Sequence, residues 1–124
     1  MARILIIDDD DEICILVKKV LLLDGHEVDT AEDGSVGLRL ARLHKYDLVI
    51  TDIVMPEQDG LGVIMELKQK SPHIRIIAIS GGGGTFNIPE ITRIVKMLKV
   101  DRAFSKPLDY IELQAAVKEL LESA

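Results

Sequence analysis

Five short apolar runs, each followed by a longer segment of helical period, limit what this chain of 124 residues can fold into more than any other feature. The runs lie at Ile4 to Ile7, Val28 to Ala31, Leu48 to Thr51, Ile74 to Ile79 and Arg102 to Phe104. They are rich in β-branched residues and have strand length. Ile4 to Ile7 and Ile74 to Ile79 are apolar without interruption, the pattern of strands in a parallel sheet covered on both faces. The intervening segments supply that cover. In the first, Ile13, Leu16, Val17, Val20 and Leu21 recur at the three-and-four spacing that shares one helix face, and Gly25 ends it. The second covers about Ser35 to Leu43, and the third runs from Gly60 to Lys70 with Val63, Ile64 and Leu67 inward, stopping before Ser71-Pro72. The fourth carries Ile91, Ile94, Val95 and Leu98 after Pro89 in a permitted first-turn position. The last opens at Asp109, a capping residue to which Glu112 can reach back, with Leu113, Val117, Leu120 and Leu121 as its buried stripe. Five βα units in one chain give an α/β fold.

The length suits one domain. With 48% apolar residues but only 3% aromatic and no Trp, the core must be aliphatic. A net charge of −6 and a pI near 5.0 exclude a general nucleic-acid binder, because that binding depends on Lys and Arg neutralising phosphates. No apolar run approaches the roughly 20 residues that span a bilayer, and Met1-Ala2-Arg3 leads straight into a strand rather than a signal peptide. A cytoplasmic location without membrane association is expected. Cys14, the one cysteine, falls on the apolar side of the first helix and reads as a buried thiol. His26, His44 and His73 show no metal-ligand spacing.

In parallel α/β sheets ligands bind outside the carboxyl ends of the strands, so chemistry is sought in the residues that follow each run. Asp8, Asp9, Asp10, Asp11 and Glu12 follow the first, Asp52 follows the third, Ser80 closes the fourth, and Lys106 closes the fifth, beside Pro107. Two carboxylates about 4 Å apart repel by roughly 4 kcal/mol at an effective dielectric near 20, so three at one rim call for a cation. Magnesium prefers oxygen ligands and is commonly held by one or two carboxylates plus a phosphate oxygen. Asp9 and Asp52 are the direct ligands on this reading, and Asp8 acts through water or by orienting them. With its charge screened, Asp52 could attack phosphorus, while Ser80 and Lys106 stabilise the equatorial oxygens of the transferring group. Asp10, Asp11 and Glu12 suit a helix start, where negative charge meets the positive end of the helix dipole.

These residues resemble the two-component response-regulator receiver family. Ile4-Leu5-Ile6-Ile7-Asp8-Asp9 is similar to its first strand and acid pair, and Asp52-Ile53-Val54-Met55-Pro56-Glu57-Gln58-Asp59-Gly60 to its phosphorylation loop. Ser80 and Lys106-Pro107 match the two remaining signature positions. The resemblance, closest to single-domain chemotaxis receivers, extends from Arg3 to about Leu121. It implies a doubly wound, flavodoxin-like five-stranded parallel sheet of strand order 2-1-3-4-5. It implies a phosphoacceptor rather than a turnover enzyme: Asp52 is phosphorylated, with Mg2+, by a phosphohistidine on a histidine kinase or histidine phosphotransfer protein. The carbonyl of Val54 matches the family's third protein ligand for magnesium, and Lys106-Pro107 a peptide that is usually cis. The chain ends at Ala124, shortly after the fifth helix, so a lone receiver without output domain or direct DNA binding is expected. Its effector would dock on the fourth helix, fifth strand and fifth helix.

The sequence also departs from that pattern. Ala103 stands three residues before Lys106, where many members carry an aromatic readout residue, and Phe104 is one position off, on the opposite strand face. Val54 and Gly82, two residues after Asp52 and Ser80, cannot position a hydrolytic water with their side chains. Gly81 to Gly84 lack the Gly-Lys-Ser/Thr ending of a phosphate loop and read instead as a hinge, with Thr85 the lesser candidate for the hydroxyl assigned to Ser80. Arg93, Lys96 and Lys99 make either a solvated face or a docking stripe for an acidic partner. Two other functions fit parts of the pattern. Asp8-Asp9-Asp10 resembles the start of an aspartate-nucleophile phosphatase of haloacid dehalogenase type, and the fold also serves phosphorylation-independent interaction modules.

Overall fold

Alternating side chains on the strands divide the core into two layers. On one face of the sheet Ile4, Ile6, Leu48, Ile50, Ile77 and Ile79 are buried, and on the other Leu5, Ile7, Val49, Ile76 and Ala78. Both faces of the same strands are dry, so each must be covered by helices, as parallel crossovers require. In this computed structural model, which describes residues 2–53, 60–80, 93 and 96–122, the strands are β1 (Arg3–Ile7), β2 (Glu27–Ala31), β3 (Leu48–Asp52), β4 (Arg75–Ser80) and β5 (Arg102–Ser105). All four pairings are parallel, in the order β2-β1-β3-β4-β5, which is the doubly wound order expected.

Helices α1 (Asp11–Leu23) and the C-terminal helix (Tyr110–Glu122) cover the first face through Ile13, Cys14, Val17, Leu21, Leu113, Ala116 and Val117. Helices α2 (Gly34–Leu43) and α3 (Gly60–Lys70) cover the second through Leu38, Val63, Ile64 and Leu67. Each buried aliphatic side chain contributes about 1.5–3 kcal/mol, so this aliphatic sandwich needs few aromatic rings.

Local chemistry sets the helix ends. Asp10 Oδ1 accepts the amides of Glu12 and Ile13 at 3.0 and 3.4 Å, and Asp33 and Asp109 cap α2 and the C-terminal helix in the same way. Gly25, at φ +86°, ends α1, with its own amide donating to Leu22 and that of His26 to Leu21, so the chain reverses directly into β2.

Two sequence expectations fail locally. Leu16 lies on the rim of α1 with 36% of its surface exposed, and Cys14 takes its place in the core. Ile74 precedes β4: its amide closes a turn onto Ser71 O and its carbonyl accepts from Lys68. The fourth predicted helix falls mostly outside the described residues, apart from helical turns at Arg93 and 96–98.

Candidate phosphoacceptor site

The carboxyl ends of β1, β3, β4 and β5 carry the acids, hydroxyl and lysine that the sequence singled out. Asp8 extends β1, its amide still donating to Ala31 O at 3.1 Å across the β2 ladder. Asp52 is the last residue of β3, opposite Ile79, and Ser80 is the last of β4. All three are buried, with exposures of 0%, 2% and 4%, whereas Asp9 is exposed. Lys106 follows β5 and is tied to β4 by its amide, which donates to Ser80 O at 3.0 Å; the Lys106–Pro107 peptide is cis. Its ammonium reaches across the sheet edge to Asp52 Oδ2 at 3.0 Å and Asp8 Oδ1 at 3.3 Å. Residues separated by 98 and 54 positions in the chain thus meet at one point.

The electrostatics of this cluster do not close. Carboxylate oxygens of Asp8, Asp9 and Asp52 lie within 4.8 Å of one another, and Lys106 is the cation joined to them. Burial, reinforced by the charge of Asp52, pushes the Asp8 carboxyl up to about 6, despite the amide of Asp10, which donates to Asp8 Oδ1 at 2.9 Å, and despite Lys106. Among the described residues Asp8 Oδ2 is buried without a hydrogen-bond partner; Lys106 Nζ lies 3.3 Å from it but out of hydrogen-bonding alignment. Burial alone would lower the Lys106 pKa, yet its hydrogen bond to Asp52 and the charges of Asp52 and Asp8 raise it. An oxygen-rich set with an orphaned buried oxygen and too little positive charge fits a hard divalent cation.

Neighbouring residues hold this arrangement. An ideal Cβ on Gly60 would stand 2.5 Å from Ile53 Cα and 2.6 Å from Asp52 O, so the start of α3 rests directly on the backbone that carries Asp52. Only glycine permits that approach. Thr51, fully buried, donates to Asp52 O at 3.1 Å. Tyr110, at the start of the C-terminal helix, has its pKa raised by burial and then by the charges of Glu12, Asp10 and Asp8, which places it beside the acidic rim. From sequence, Gly60 is only one letter of a motif, and nothing marks Tyr110. Cys14 is inert here: it donates to Asp8 O at 3.4 Å, and burial pushes its thiol up to about 11.

Asp10, Asp11 and Glu12 form the cap and first turn of α1 as expected. Phe104 and Ala103 pack on opposite faces of the sheet, as strand alternation requires. Val54, Gly81 to Gly84 and Thr85 lie outside the described residues, so the third expected ligand and the hinge are not placed.

The comparisons with known proteins agree with this geometry. Residues 4–118 match the response regulator receiver domain family. The chain is 32% identical over 123 residues to the transcriptional regulatory protein GlrR of Escherichia coli, covering 99% of this chain and 27% of that protein. It is 31% identical over 120 residues to the alkaline phosphatase synthesis transcriptional regulatory protein PhoP of Bacillus subtilis, covering 96% and 48%. The chain therefore spans about a quarter to a half of these relatives. Its fold is similar to that of the response regulator TrrA of Thermotoga maritima, solved in complex with Mg(2+)-BeF, with a TM-score of 0.81, 34% identity and coverage of 97% and 99%. The chain belongs to the response regulator receiver domain family.

Proposed function

We propose that Asp52 is the phosphoacceptor of a two-component or phosphorelay system and that its phosphorylation switches the binding of a downstream protein. One observation carries this reading: Asp52 ends a buried strand with its carboxylate held at 3.0 Å by Lys106, in a cluster with two further carboxylates. One carboxylate oxygen of Asp52 forms a bond to phosphorus as the bond from phosphorus to the donor's imidazole nitrogen breaks, and the imidazole leaves. Lys106 Nζ, already bound to Asp52, shifts toward the phosphoryl oxygens as charge moves onto them, and the Ser80 hydroxyl donates to another.

Asp8, Asp9, Asp52 and the carbonyl of Val54 would hold Mg2+, which supplies charge screening for the attacking carboxylate and the phosphoryl oxygens. The similar receiver solved with Mg(2+)-BeF supports that choice of ion. Asp8 is less suited than Asp52 to be the nucleophile, as a phosphatase reading would require. Its Oδ1 accepts from both Asp10 and Lys106, and burial favours its protonated form.

The donor is a phosphohistidine on a kinase or phosphotransfer protein. The effector reads the fourth predicted helix, the C-terminal helix and the outer edge of β5, which is the last strand of the sheet and has exposed ends at Arg102 and Ser105. The test is labelling by a small phosphodonor with magnesium, on the intact chain and on Asp52→Asn. Base-labile label on the intact chain and none on the variant is expected; undiminished labelling of Asp52→Asn refutes the assignment.

A further inference from the structure

All strands run the same way, so the segments that enter β4 and β5 lie at the opposite end of the sheet from Asp52. There the end of α3 and the turn before β5 enclose an open groove of about 310 Å³, lined by Met65, Lys68, Pro72, Met97 and Lys99 among others. Met65 and Met97 are 52% and 72% exposed and lie together in it. Methionine, flexible and polarisable, suits a surface that adapts to a partner.

The charge of the groove has one sign. Among the described residues Lys68 and Lys99 line it and no carboxylate does, although the chain carries a net charge of −6. The nearby acid, Asp101, is engaged elsewhere: its Oδ2 accepts the Ile76 amide at 2.8 Å and its Oδ1 lies 3.6 Å from Arg75. Lys68 Nζ donates to Ile74 O at 2.9 Å, which occupies one of its three protons. Burial lowers the Lys68 pKa, and the charges of Arg75 and Lys99 add to that against the help of Asp101. The remaining protons of Lys68 can meet an added anion. Lys99 has φ 56°, at the end of the helical turn 96–98, where glycine is the usual residue.

We propose that this groove docks an acidic polypeptide segment of a partner protein, carboxylates meeting Lys68 and Lys99 while an aliphatic side chain lies against Met65, Met97 and Pro72. The surface takes in Met97 and Lys99 at the end of the fourth predicted helix but no residue of β5 or of the C-terminal helix, and its use does not depend on Asp52. A groove of this size holds one or two side chains, so the isolated contact binds weakly, with a dissociation constant on the order of 1 mM.

The experiment titrates the full chain, labelled with 13C at its methionine methyls, with a blocked Glu-Leu-Glu-Glu peptide. Of the four methionines, Met1 and Met55 serve as internal references for Met65 and Met97. Saturable shifts confined to Met65 and Met97 are expected, and they should be equal in Asp52→Asn. Lys68→Gln and Lys99→Gln should each weaken binding by about tenfold, the scale of one charge-assisted hydrogen bond. Lys99→Gly should lose as much affinity while melting at a higher temperature, because glycine relieves the left-handed backbone. Equal shifts with the Gln-Leu-Gln-Gln peptide, equal movement at Met1 and Met55, or full affinity in Lys99→Gly would each overturn the proposal. So would inorganic phosphate reproducing the whole effect, since the groove would then be a simple anion site.

Discussion

Asp8 and Asp29 extend or occupy adjoining strands of one sheet, and their carboxyls are driven in opposite directions. Asp29, midway along the edge strand β2, is tied through one carboxylate oxygen to two partners. Its Oδ2 accepts from Tyr46 Oη at 2.7 Å and from Arg3 Nη2 at 3.1 Å, and the hydrogen bond from Tyr46 leads the causes that hold its pKa below the usual carboxylate range. Arg3 also lies over the Tyr46 ring, and its amide donates to Asp47. Asp8, just past the carboxyl end of β1, is more deeply buried, shares one lysine with Asp52 and keeps an orphan oxygen. The same residue type thus serves two purposes. Where the electrostatics are closed, charge fastens strands together. Where they are left open, the fold gives up stability at a cluster whose donors fit a divalent cation.

The largest way to break this contrast is to remove the cation that partly closes the site. Lys106→Met leaves Asp8 and Asp52 buried beside each other without compensation. Breaking a buried ion pair from one side costs about 3–5 kcal/mol, and that is the loss expected in urea unfolding at pH 8 without divalent ions. Added magnesium should recover part of it. A change within about 0.5 kcal/mol would mean that Lys106 contributes no more than a surface lysine.

Asp8→Asn tests the open site from the other side and carries a definite pH signature. The folded carboxyl titrates near 6 against an ordinary value of 3.8, so the ionised form is the one disfavoured by folding. The cost is fully present above pH 6, shrinks between 6 and 3.8, and is absent below. Removing the charge should therefore stabilise the metal-free protein by about 2–3 kcal/mol at pH 8, since each tenfold change in an ionisation constant corresponds to about 1.4 kcal/mol. The advantage over the parent should fade as pH falls to 4 and reverse in sign when magnesium is present. A variant less stable than the parent at pH 8 without metal would contradict the assigned strain.

Much of this site was legible because a parallel sheet converts sequence position into spatial position. Asp8, Asp52, Ser80 and Lys106 each stand at or just after the end of an apolar run, and parallel pairing alone brings those ends together. What stayed hidden depends on contacts without a local pattern. The Arg3, Asp29 and Tyr46 network joins residues 26 and 17 positions apart, and none of the three sits in a motif. The close approach of Gly60 to Asp52 O is a matter of helix placement, which periodicity does not encode. Leu16 fits the apolar face of α1 by spacing, yet spacing cannot say where the cover from the C-terminal helix stops. The groove between α3 and the turn at Lys99 needs two segments about thirty residues apart, and it appears only once both are in place.

The mildest test acts on the closed network. Asp29→Asn keeps an acceptor for Tyr46 but removes the charge that faces Arg3. Because Asp29 is 36% exposed on its side chain, solvent screens much of the pair, and a loss of about 1 kcal/mol is expected at pH 7. The sign is opposite to that at Asp8. A folded pKa below 3.8 means that the charged form stabilises, fully above that value, and that the gain disappears as pH falls through the folded pKa. Parent and Asp29→Asn should therefore converge in acid from a state in which the parent is the more stable, whereas at Asp8 they converge from one in which the variant is. Salt separates them further: 1 M NaCl should shrink the Asp29 difference, since a Debye length of about 3 Å screens an exposed pair, and leave the buried Asp8 difference largely intact. If both substitutions shifted stability in the same direction at neutral pH without metal, the division of the sheet's carboxylates into a closed and an open set would be wrong.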